Sequence, residues 1–164
     1  MDTSVFIRPV QRHHEIEACA RMMAASEPWI TLGYDYAASL RALASPGKEI
    51  HLAVGGGEVV GFVLLNLKGA FVGTLQSICV APGRRGQGIG RRLVAFAEER
   101  VFAQHPNLFA CVSSFNQGAQ RFYRCLGYEV VGELKNFLVD GHSEILLRKT
   151  IGSLTEFRKK QATV

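Results

Sequence analysis

The chain has 164 residues, of which 48% are apolar and 20% charged, and its formal net charge is +5. This composition excludes a disordered chain, and the length suits one domain that buries roughly 70% of its unfolded surface. No apolar run approaches the roughly 20 residues that span a bilayer, and the N-terminal residues lack a basic segment followed by an apolar one. We therefore expect a cytoplasmic protein without a membrane partner.

Hydrophobic periodicity and turn residues predict elements in the order β-α-α-β-β-β-α-β-α-β-β. The predicted strands cover residues 5–10, 49–54, 58–67, 74–80, 108–112, 128–131 and 144–147. The predicted helices cover residues 14–25, residues 36–44, a long stretch from Ile89 to Gln104, and a short stretch between Asn116 and Gly127. Hairpins combined with crossover helices indicate an α/β fold whose sheet is of mixed direction.

The four cysteines are far apart and lack the Cys-x-x-Cys spacing of a zinc or redox site. They lie in apolar segments, so we expect no metal and four buried free thiols: Cys19, Cys79, Cys111 and Cys125. The positive charge is concentrated in residues 84–92 and in the tail from Arg148 onward. Because no aromatic residues that could stack on bases are interleaved with it, the sequence does not favour nucleic-acid binding.

The most informative stretch runs from Ile78 to Arg92, ICVAPGRRGQGIGRR, where a short strand passes through a glycine-rich turn into a helix. N–H groups at a helix start lack partners within the helix and lie at the positive end of its dipole, so this junction suits an anion. The flanking arginines are Arg84, Arg85, Arg91 and Arg92. A phosphate-bearing ligand is the leading interpretation, and a plain turn is the alternative.

Two common nucleotide motifs do not fit this loop. A Walker loop requires a lysine followed by serine or threonine, and none occurs between Gly86 and Arg92. A Rossmann fingerprint requires Gly-x-Gly-x-x-Gly, and the third residue after Gly88 is Arg91. The pattern that remains is Arg85-x-x-Gly88-x-Gly90 after a strand.

This pattern resembles motif A of the GNAT family of N-acetyltransferases, Gln/Arg-x-x-Gly-x-Gly/Ala. The segment AQRFYRCLGYEVVGEL resembles motif B of the same family, with Asn116 seven residues before Tyr123. The opening IRPV and the hairpin that ends in GFVLLNL are similar to the family's first and central strands. The resemblance covers residues 5–149.

The resemblance implies a GNAT-like mixed, mostly antiparallel central sheet of six to seven strands with about four helices, splayed between the two middle strands. It implies one N-acyltransferase domain over residues 1–150 and a basic C-terminal tail over residues 151–164. The implied activity is direct transfer of an acetyl group from acetyl-CoA, the cosubstrate, to a primary amine of a small molecule or peptide. A non-catalytic acyl-CoA sensor or interaction module is the alternative. An exposed terminal strand would also allow a homodimer.

The resemblance also implies roles for individual residues. The loop would bind the pyrophosphate of coenzyme A, and the strand before it would pair with the pantetheine arm. Tyr123 would be the general acid, with a plain core aromatic as the alternative, and the backbone N–H of Val80 would stabilise the oxyanion. The implied cofactor-binding residues are Ile78, Cys79, Val80, Arg85, Gly86, Gln87, Gly88, Ile89, Gly90, Arg91, Asn116 and Tyr123.

The sequence leaves the general base open. The branch of the family that acetylates peptide N-termini has a glutamate five residues before the motif B asparagine, and this chain has Cys111 there. A thiol of ordinary pKa does not replace that glutamate, which argues against N-terminal peptide acetylation. Thr74 and Gln76, on the strand before the loop, are not bases either. The remaining candidates are Glu27, Asp35, His142 and Glu144, and a chain of waters is the alternative.

The segment SEPWITLGYDY interrupts the helical periodicity after the first helix and brings three large aromatic residues close together. We expect Trp29 and Tyr34, together with Tyr36, to line the pocket of the acceptor substrate. Packing against the first two helices is the alternative for each of them. The sequence does not identify the acceptor.

Overall fold

One mixed sheet runs through the described part of the chain, residues 4–69 and 71–163 of a computed structural model. Its seven strands are β1 Phe6–Pro9, β2 Lys48–Gly55, β3 Glu58–Asn66, β4 Thr74–Val80, β5 Asn107–Ser113, β6 Glu129–Lys135 and β7 Ser143–Thr150. They lie in the order β1-β2-β3-β4-β5-β7-β6, and every neighbouring pair is antiparallel except β4 and β5. The predicted mixed, mostly antiparallel sheet is confirmed.

Five α-helices accompany the sheet in the described residues. They are α1 His13–Ala24, α2 Tyr36–Leu43, α3 Ile89–Phe102, α4 Gln117–Cys125 and α5 Leu154–Gln161. The first four are the predicted ones, and α5 lies in the basic tail. The division into a domain over residues 1–150 and a tail over residues 151–164 stays a prediction. No helix in the described ranges is long and apolar enough to cross a membrane.

The sheet buries a different apolar cluster on each of its faces, because successive side chains of a strand point in opposite directions. On one face, Leu93 and Ala97 of α3 are fully buried together with Val63 and Leu65 of β3 and Tyr123 of α4. On the other face, a second cluster joins α1 and α2 to the alternate residues of the same strands: Cys19, Ala20, Met23, Leu43, Leu52, Phe62 and Leu64. The two helix pairs therefore cover opposite faces of the sheet.

Strands β4 and β5 pair only where they begin. The parallel ladder consists of Thr74 opposite Phe109 and Leu75 opposite Ala110. Within β4 the register to β3 shifts, because Leu75 pairs with Leu65 while Ser77 pairs with Leu64. Gln76 is thus an extra residue, and a bulge of this kind bends a strand and increases its twist. The predicted splay between the two middle strands is confirmed.

The prediction of four buried thiols is wrong for two of the cysteines. All four are free, but only Cys19 and Cys79 are buried, whereas Cys111 and Cys125 are exposed. Cys125 is the last residue of α4, and Cys111 lies on β5 beyond the point where β4 diverges from it. An apolar sequence context predicted burial, but the missing neighbour leaves the Cys111 side chain accessible.

Gly61 of β3 keeps the strand close to its neighbours at the base of the glycine-rich loop. A Cβ atom there would lie 2.9 Å from the carbonyl oxygen of Cys79 and 3.3 Å from a methyl group of Leu93. A backbone oxygen cannot move aside without shifting its strand. We therefore expect Gly61→Ala to lower the free energy of unfolding by about 1–3 kcal/mol. Urea denaturation followed by circular dichroism measures this change.

Gly132→Ala is the matched control, since Gly132 also lies in a strand and a Cβ atom there would meet nothing within 4 Å. We expect this variant to be neutral or to gain up to about 1 kcal/mol by restricting the unfolded chain. Equal destabilisation by both substitutions would contradict the steric explanation for Gly61.

Candidate active site

The glycine-rich loop connects β4 to α3 through one turn of 3-10 helix, Pro82–Arg84. Gly86 and Gly88 have φ values of +75° and +78°, which glycine adopts without steric cost, and Gly88 is the N-cap of α3. The first hydrogen bond of the helix runs from the N–H of Arg92 to the carbonyl oxygen of Gly88. The N–H groups of residues 89–91 therefore have no partner within the helix and are free to bind an anion.

The four arginines of this loop divide into two kinds. Arg85 points inward, where Nε donates to the carbonyl oxygen of Val80 at 3.1 Å and Nη2 to the hydroxyl of Ser26 at 3.2 Å. Arg92 donates to the carbonyl oxygen of Val5. In the described residues, no hydrogen bond or ion pair engages the guanidinium groups of Arg84 and Arg91. Arg85 therefore holds the loop in place, and Arg84 and Arg91 are the cations available to a ligand.

The edge of β4 that faces β5 carries unpaired backbone groups. The N–H of Ala81 donates to the carbonyl oxygen of Val60 at 3.0 Å, so Val80 and Gly61 form a non-hydrogen-bonded pair. The N–H groups of Val80 and of Ile78, two residues earlier, consequently point away from β3 and toward the opening. An extended ligand with amide groups can pair with this edge as an added strand would.

A cavity fills the opening between β4 and β5 and is lined from both faces of the sheet. Asn116, Ala119 and Tyr123 line it from the side of α4. Pro28, Trp29 and Leu32, from the segment between α1 and α2, line it from the other side. The cavity therefore links the two faces of the sheet at the point where β4 has no partner.

Both motif B residues border this cavity. The side-chain oxygen of Asn116 accepts a hydrogen bond from the N–H of Ala119 at 3.1 Å and caps α4, which leaves its NH₂ group to donate elsewhere. Tyr123 is 3% exposed, and its ring packs edge-on against Phe122 and Tyr128. Burial raises the pKa of the Tyr123 phenol above its ordinary value, so this group is a proton donor at neutral pH.

Three of the predicted candidate bases, Glu27, Asp35 and His142, do not line the cavity. The carboxylate of Glu27 is exposed and accepts from the N–H of Thr31 at 3.2 Å. Asp35 caps α2 by accepting from the N–H of Ala38 at 2.7 Å. His142 packs against the ring of Phe115, with 4.9 Å between the ring centroids. Their assignment as bases stays a prediction that this placement does not favour.

Glu144, the fourth candidate, is the carboxylate that the fold brings into the cavity. It lies opposite Ser113 across β5 and β7, is 3% exposed, and accepts a hydrogen bond of 2.7 Å from the Ser113 hydroxyl. Burial raises its pKa, although the Ser113 hydrogen bond and the nearby His142 act in the opposite direction. A carboxylate with a raised pKa is a better proton acceptor than an ordinary one.

Cys111 lines the same cavity but is not a base at neutral pH. Cys111 is open to solvent on one side, but the protein around the thiol removes enough water, with a further contribution from the charge of Glu144, to raise its pKa to about 11. The thiol therefore stays protonated. In the described residues, no group of His, Cys, Asp and Glu side chains is arranged to hold a metal ion.

A larger opening, which we call the apolar groove, continues from the cavity on the α1 and α2 face of the sheet and has a volume of about 590 Å³. Its lining includes Trp29, Leu32, Tyr34, Phe109, Leu138 and Leu146. Trp29 lines both the groove and the cavity, whereas Tyr36 is 39% exposed and lies in a separate shallow depression beside Arg21. Two of the three aromatic residues singled out in the sequence thus meet at one surface.

Comparison with known proteins places this arrangement in a family. The sequence profile of the Acetyltransferase (GNAT) family matches residues 11–128. N-alpha-acetyltransferase RimI of Mycobacterium tuberculosis is 30% identical over 146 residues, which make up 87% of either chain. These matches cover motif A, most of motif B and the strands between them.

Solved structures share the fold. A putative acetyltransferase of the GNAT family from Desulfovibrio desulfuricans superposes with a TM-score of 0.73 at 21% identity, over 91% of this chain and all of the other. An aminoglycoside 6'-N-acetyltransferase solved with coenzyme A gives a TM-score of 0.71 at 20% identity, over 90% of this chain and 98% of the other. The chain belongs to the GNAT family and is an acetyl-CoA-dependent N-acetyltransferase that acts on amines.

Proposed function

We propose that this enzyme transfers the acetyl group through the opening between β4 and β5, with acetyl-CoA on the α3 and α4 face and the amine on the opposite face. The observation that carries the proposal is the cavity that Tyr123 lines from one face and Trp29 from the other, with Glu144 at its wall. Donor and acceptor can meet there without sharing an entrance. Such an arrangement suits direct transfer in a ternary complex.

The donor is held by backbone groups more than by side chains. The N–H groups at the start of α3, from Ile89 to Arg91, bind the pyrophosphate, and Arg84 and Arg91 offset its charge. The free edge of β4 pairs with the pantetheine arm through Ile78 and Val80. Asn116 donates its remaining amide hydrogens to the same arm. Cys79, whose thiol is buried toward Ser26, contributes its backbone only.

Glu144 is the general base in this proposal. An alkyl amine has a pKa of about 10.4, so roughly one molecule in 10³ is neutral at pH 7 and the rest must lose a proton before attack. No other carboxylate lines the cavity among the described residues. Glu144 accepts this proton, and the amine nitrogen then attacks the acetyl carbon. The non-catalytic alternative was supported only by the absence of the family's glutamate, which is Cys111 in this chain, and Glu144 is a carboxylate that can take that role.

The leaving group takes its proton from Tyr123. When the carbon–sulfur bond breaks, the thiolate of coenzyme A forms in a site where burial disfavours charge, so a buried phenol can protonate it. Overall the ammonium form of the substrate loses two protons, one to coenzyme A through Tyr123 and one to solvent through Glu144. Of the two residues whose N–H groups face the opening, Ile78 lines the cavity and Val80 does not, so we assign the N–H of Ile78 as oxyanion donor beside that of Val80.

Two further features of the protein stay predictions. Location in the cytoplasm rests on the sequence alone. A homodimer is supported by the position of β6 at the edge of the sheet, where Val130 and Val131 are 49% and 45% exposed.

Replacing Glu144 by glutamine removes the base and keeps the shape. We expect Glu144→Gln to lower kcat by about 10²- to 10⁴-fold with unchanged affinity for coenzyme A. In the native enzyme, kcat/KM should fall as the pH falls through the raised pKa of Glu144, because the carboxylate becomes protonated. This acidic limb of the profile of kcat/KM against pH should be absent from the variant. Steady-state thiol release from pH 5 to 9 measures both effects.

Glu133→Gln is the control, since Glu133 lies on β6, is exposed, and does not line the cavity. It should leave kcat and the acidic limb intact. A Glu144→Gln enzyme that keeps both would remove Glu144 from the mechanism.

Replacing Tyr123 by phenylalanine removes only the phenolic hydroxyl, which is the proposed general acid. No described residue accepts a hydrogen bond from the Tyr123 hydroxyl, so the variant should fold with native stability. We expect kcat to fall about 10²-fold or more, with little change in the Kd of acetyl-CoA. The neighbouring Tyr128, which does not line the cavity, provides the control Tyr128→Phe. Similar kcat values for the two variants would contradict the assignment.

Replacing Arg91 by alanine removes one of the free cations at the start of α3. Each such exposed contact contributes about 0.3–1 kcal/mol, so the Kd of coenzyme A should rise about two- to fivefold. Isothermal titration calorimetry measures this rise, which should shrink at high salt. Arg41→Ala on α2, an exposed arginine on the opposite face, should have no effect. If both variants bind equally well, Arg91 does not contact the phosphates.

A further inference from the structure

Several of the apolar side chains that line the apolar groove are exposed. Phe71, Phe137 and Leu138 line it and are 61%, 57% and 46% exposed. They come from two connections, the one before β4 and the one between β6 and β7, and both connections border the groove. Exposed apolar side chains that converge on one concave surface usually mark a binding site.

The groove has one charged residue among those that line it in the described part of the chain, and this residue is Glu144. Glu144 also lines the cavity in the sheet, so the carboxylate lies at the inner end of the groove. On the same face of β7 the next residue outward is Leu146, and Leu134 of β6 pairs with Glu144. The groove is thus a mainly apolar trough, with the polar side chains of Thr74, Gln76 and Ser77 along β4 and a single negative charge at Glu144.

We infer that the acceptor is a small primary monoamine that carries one bulky apolar group, an arylalkylamine in chemical class. This inference rests on the proposed function, because it places the acceptor amine at Glu144. The aromatic group of such an amine fills the groove between Trp29 and Phe109, and its nitrogen reaches the carboxylate. One ammonium group matches one carboxylate.

A polycationic acceptor does not match this lining. Each further ammonium group would lose water against apolar side chains without gaining a counter-charge, which is costly. A peptide acceptor matches less well, because its first carbonyl and second N–H lie next to the reacting amine and need hydrogen-bond partners. Leu134 and Leu146, which lie beside Glu144 on β6 and β7, offer none, and three groove residues that can hydrogen-bond, Thr74, Gln76 and Ser77, lie on β4.

The experiment compares acceptors with the purified enzyme and acetyl-CoA, by release of free thiol. The acceptors are 2-phenylethylamine, ethylamine, kanamycin, and a tripeptide amide with N-terminal phenylalanine. Burial of about 100 Å² of ring surface favours 2-phenylethylamine over ethylamine by up to about 50-fold in kcat/KM, and we expect at least about tenfold. Kanamycin and the peptide should be used less well than 2-phenylethylamine.

A charge placed on the rim tests the groove directly. Phe137→Glu should lower kcat/KM for 2-phenylethylamine about fivefold or more by removing apolar contact, while kcat/KM for ethylamine stays within about twofold. Phe137 is exposed, so the substitution should not impair folding. Phe6→Glu, at a phenylalanine of β1 that is 52% exposed and outside the groove, is the matched control and should change neither value.

Each failure has a distinct meaning. Equal kcat/KM values for ethylamine and 2-phenylethylamine would overturn the role of the groove while acetyl transfer stands. An unchanged kcat/KM for 2-phenylethylamine in Phe137→Glu would do the same. Preference for kanamycin overturns the monoamine class, and preference for the peptide overturns the small-molecule acceptor. If no amine releases thiol although coenzyme A binds, the proposed roles of Glu144 and Tyr123 fail first, and the acceptor class fails with them.

Discussion

The structure depends on the early end of the ladder between β4 and β5. After two residue pairs the strands diverge, and the bulge at Gln76 redirects β4 at the same point. An unpaired strand edge in the middle of a sheet exposes backbone groups that would otherwise be satisfied, so it is stable only if water or a ligand takes their place. Here the unpaired N–H groups of Ile78 and Val80 lie directly before the anion-binding start of α3. One backbone irregularity thereby creates the donor site and the passage to the opposite face.

The same irregularity determines where chemistry can occur. Because β5 lacks a neighbour beyond Ala110, its outer residues face a cavity on one side and β7 on the other. The antiparallel register with β7 then places Glu144 opposite Ser113 at the end of β5. A shift of that register by one residue would turn the carboxylate to the other face of the sheet. Pairing between β5 and β7 thus positions the candidate base as firmly as the loop positions the free N–H groups at the start of α3.

Local patterns in the sequence predicted most of the fold, including the strand, glycine-rich loop and helix of the candidate donor site. Strand β4 begins and ends at the predicted residues, and Asn116 caps α4 as expected, because turns and caps are determined by neighbours in sequence. The base was not predicted uniquely, since Glu144 and His142 are two residues apart, and only the start of β7 at Ser143 separates Glu144 in the sheet from His142 in the connection before it. For Cys111, the apolar context suggested burial, whereas a neighbour that diverges leaves it exposed. Both difficulties concern contacts between residues distant in sequence.

The burial of Glu144 has a thermodynamic consequence that separates it from the other candidate bases. Its pKa is raised in the folded protein, so the native state binds a proton more readily than the unfolded chain does. Stability therefore falls as the pH rises from the unfolded pKa to the folded one, and at neutral pH the ionised carboxylate weakens the fold. The hydrogen bond from Ser113 reduces this cost without removing it. Glu27 and Asp35 are exposed and accept backbone hydrogen bonds that support local structure. A carboxylate that destabilises the fold while lining the reaction cavity is better explained by catalysis than by structure.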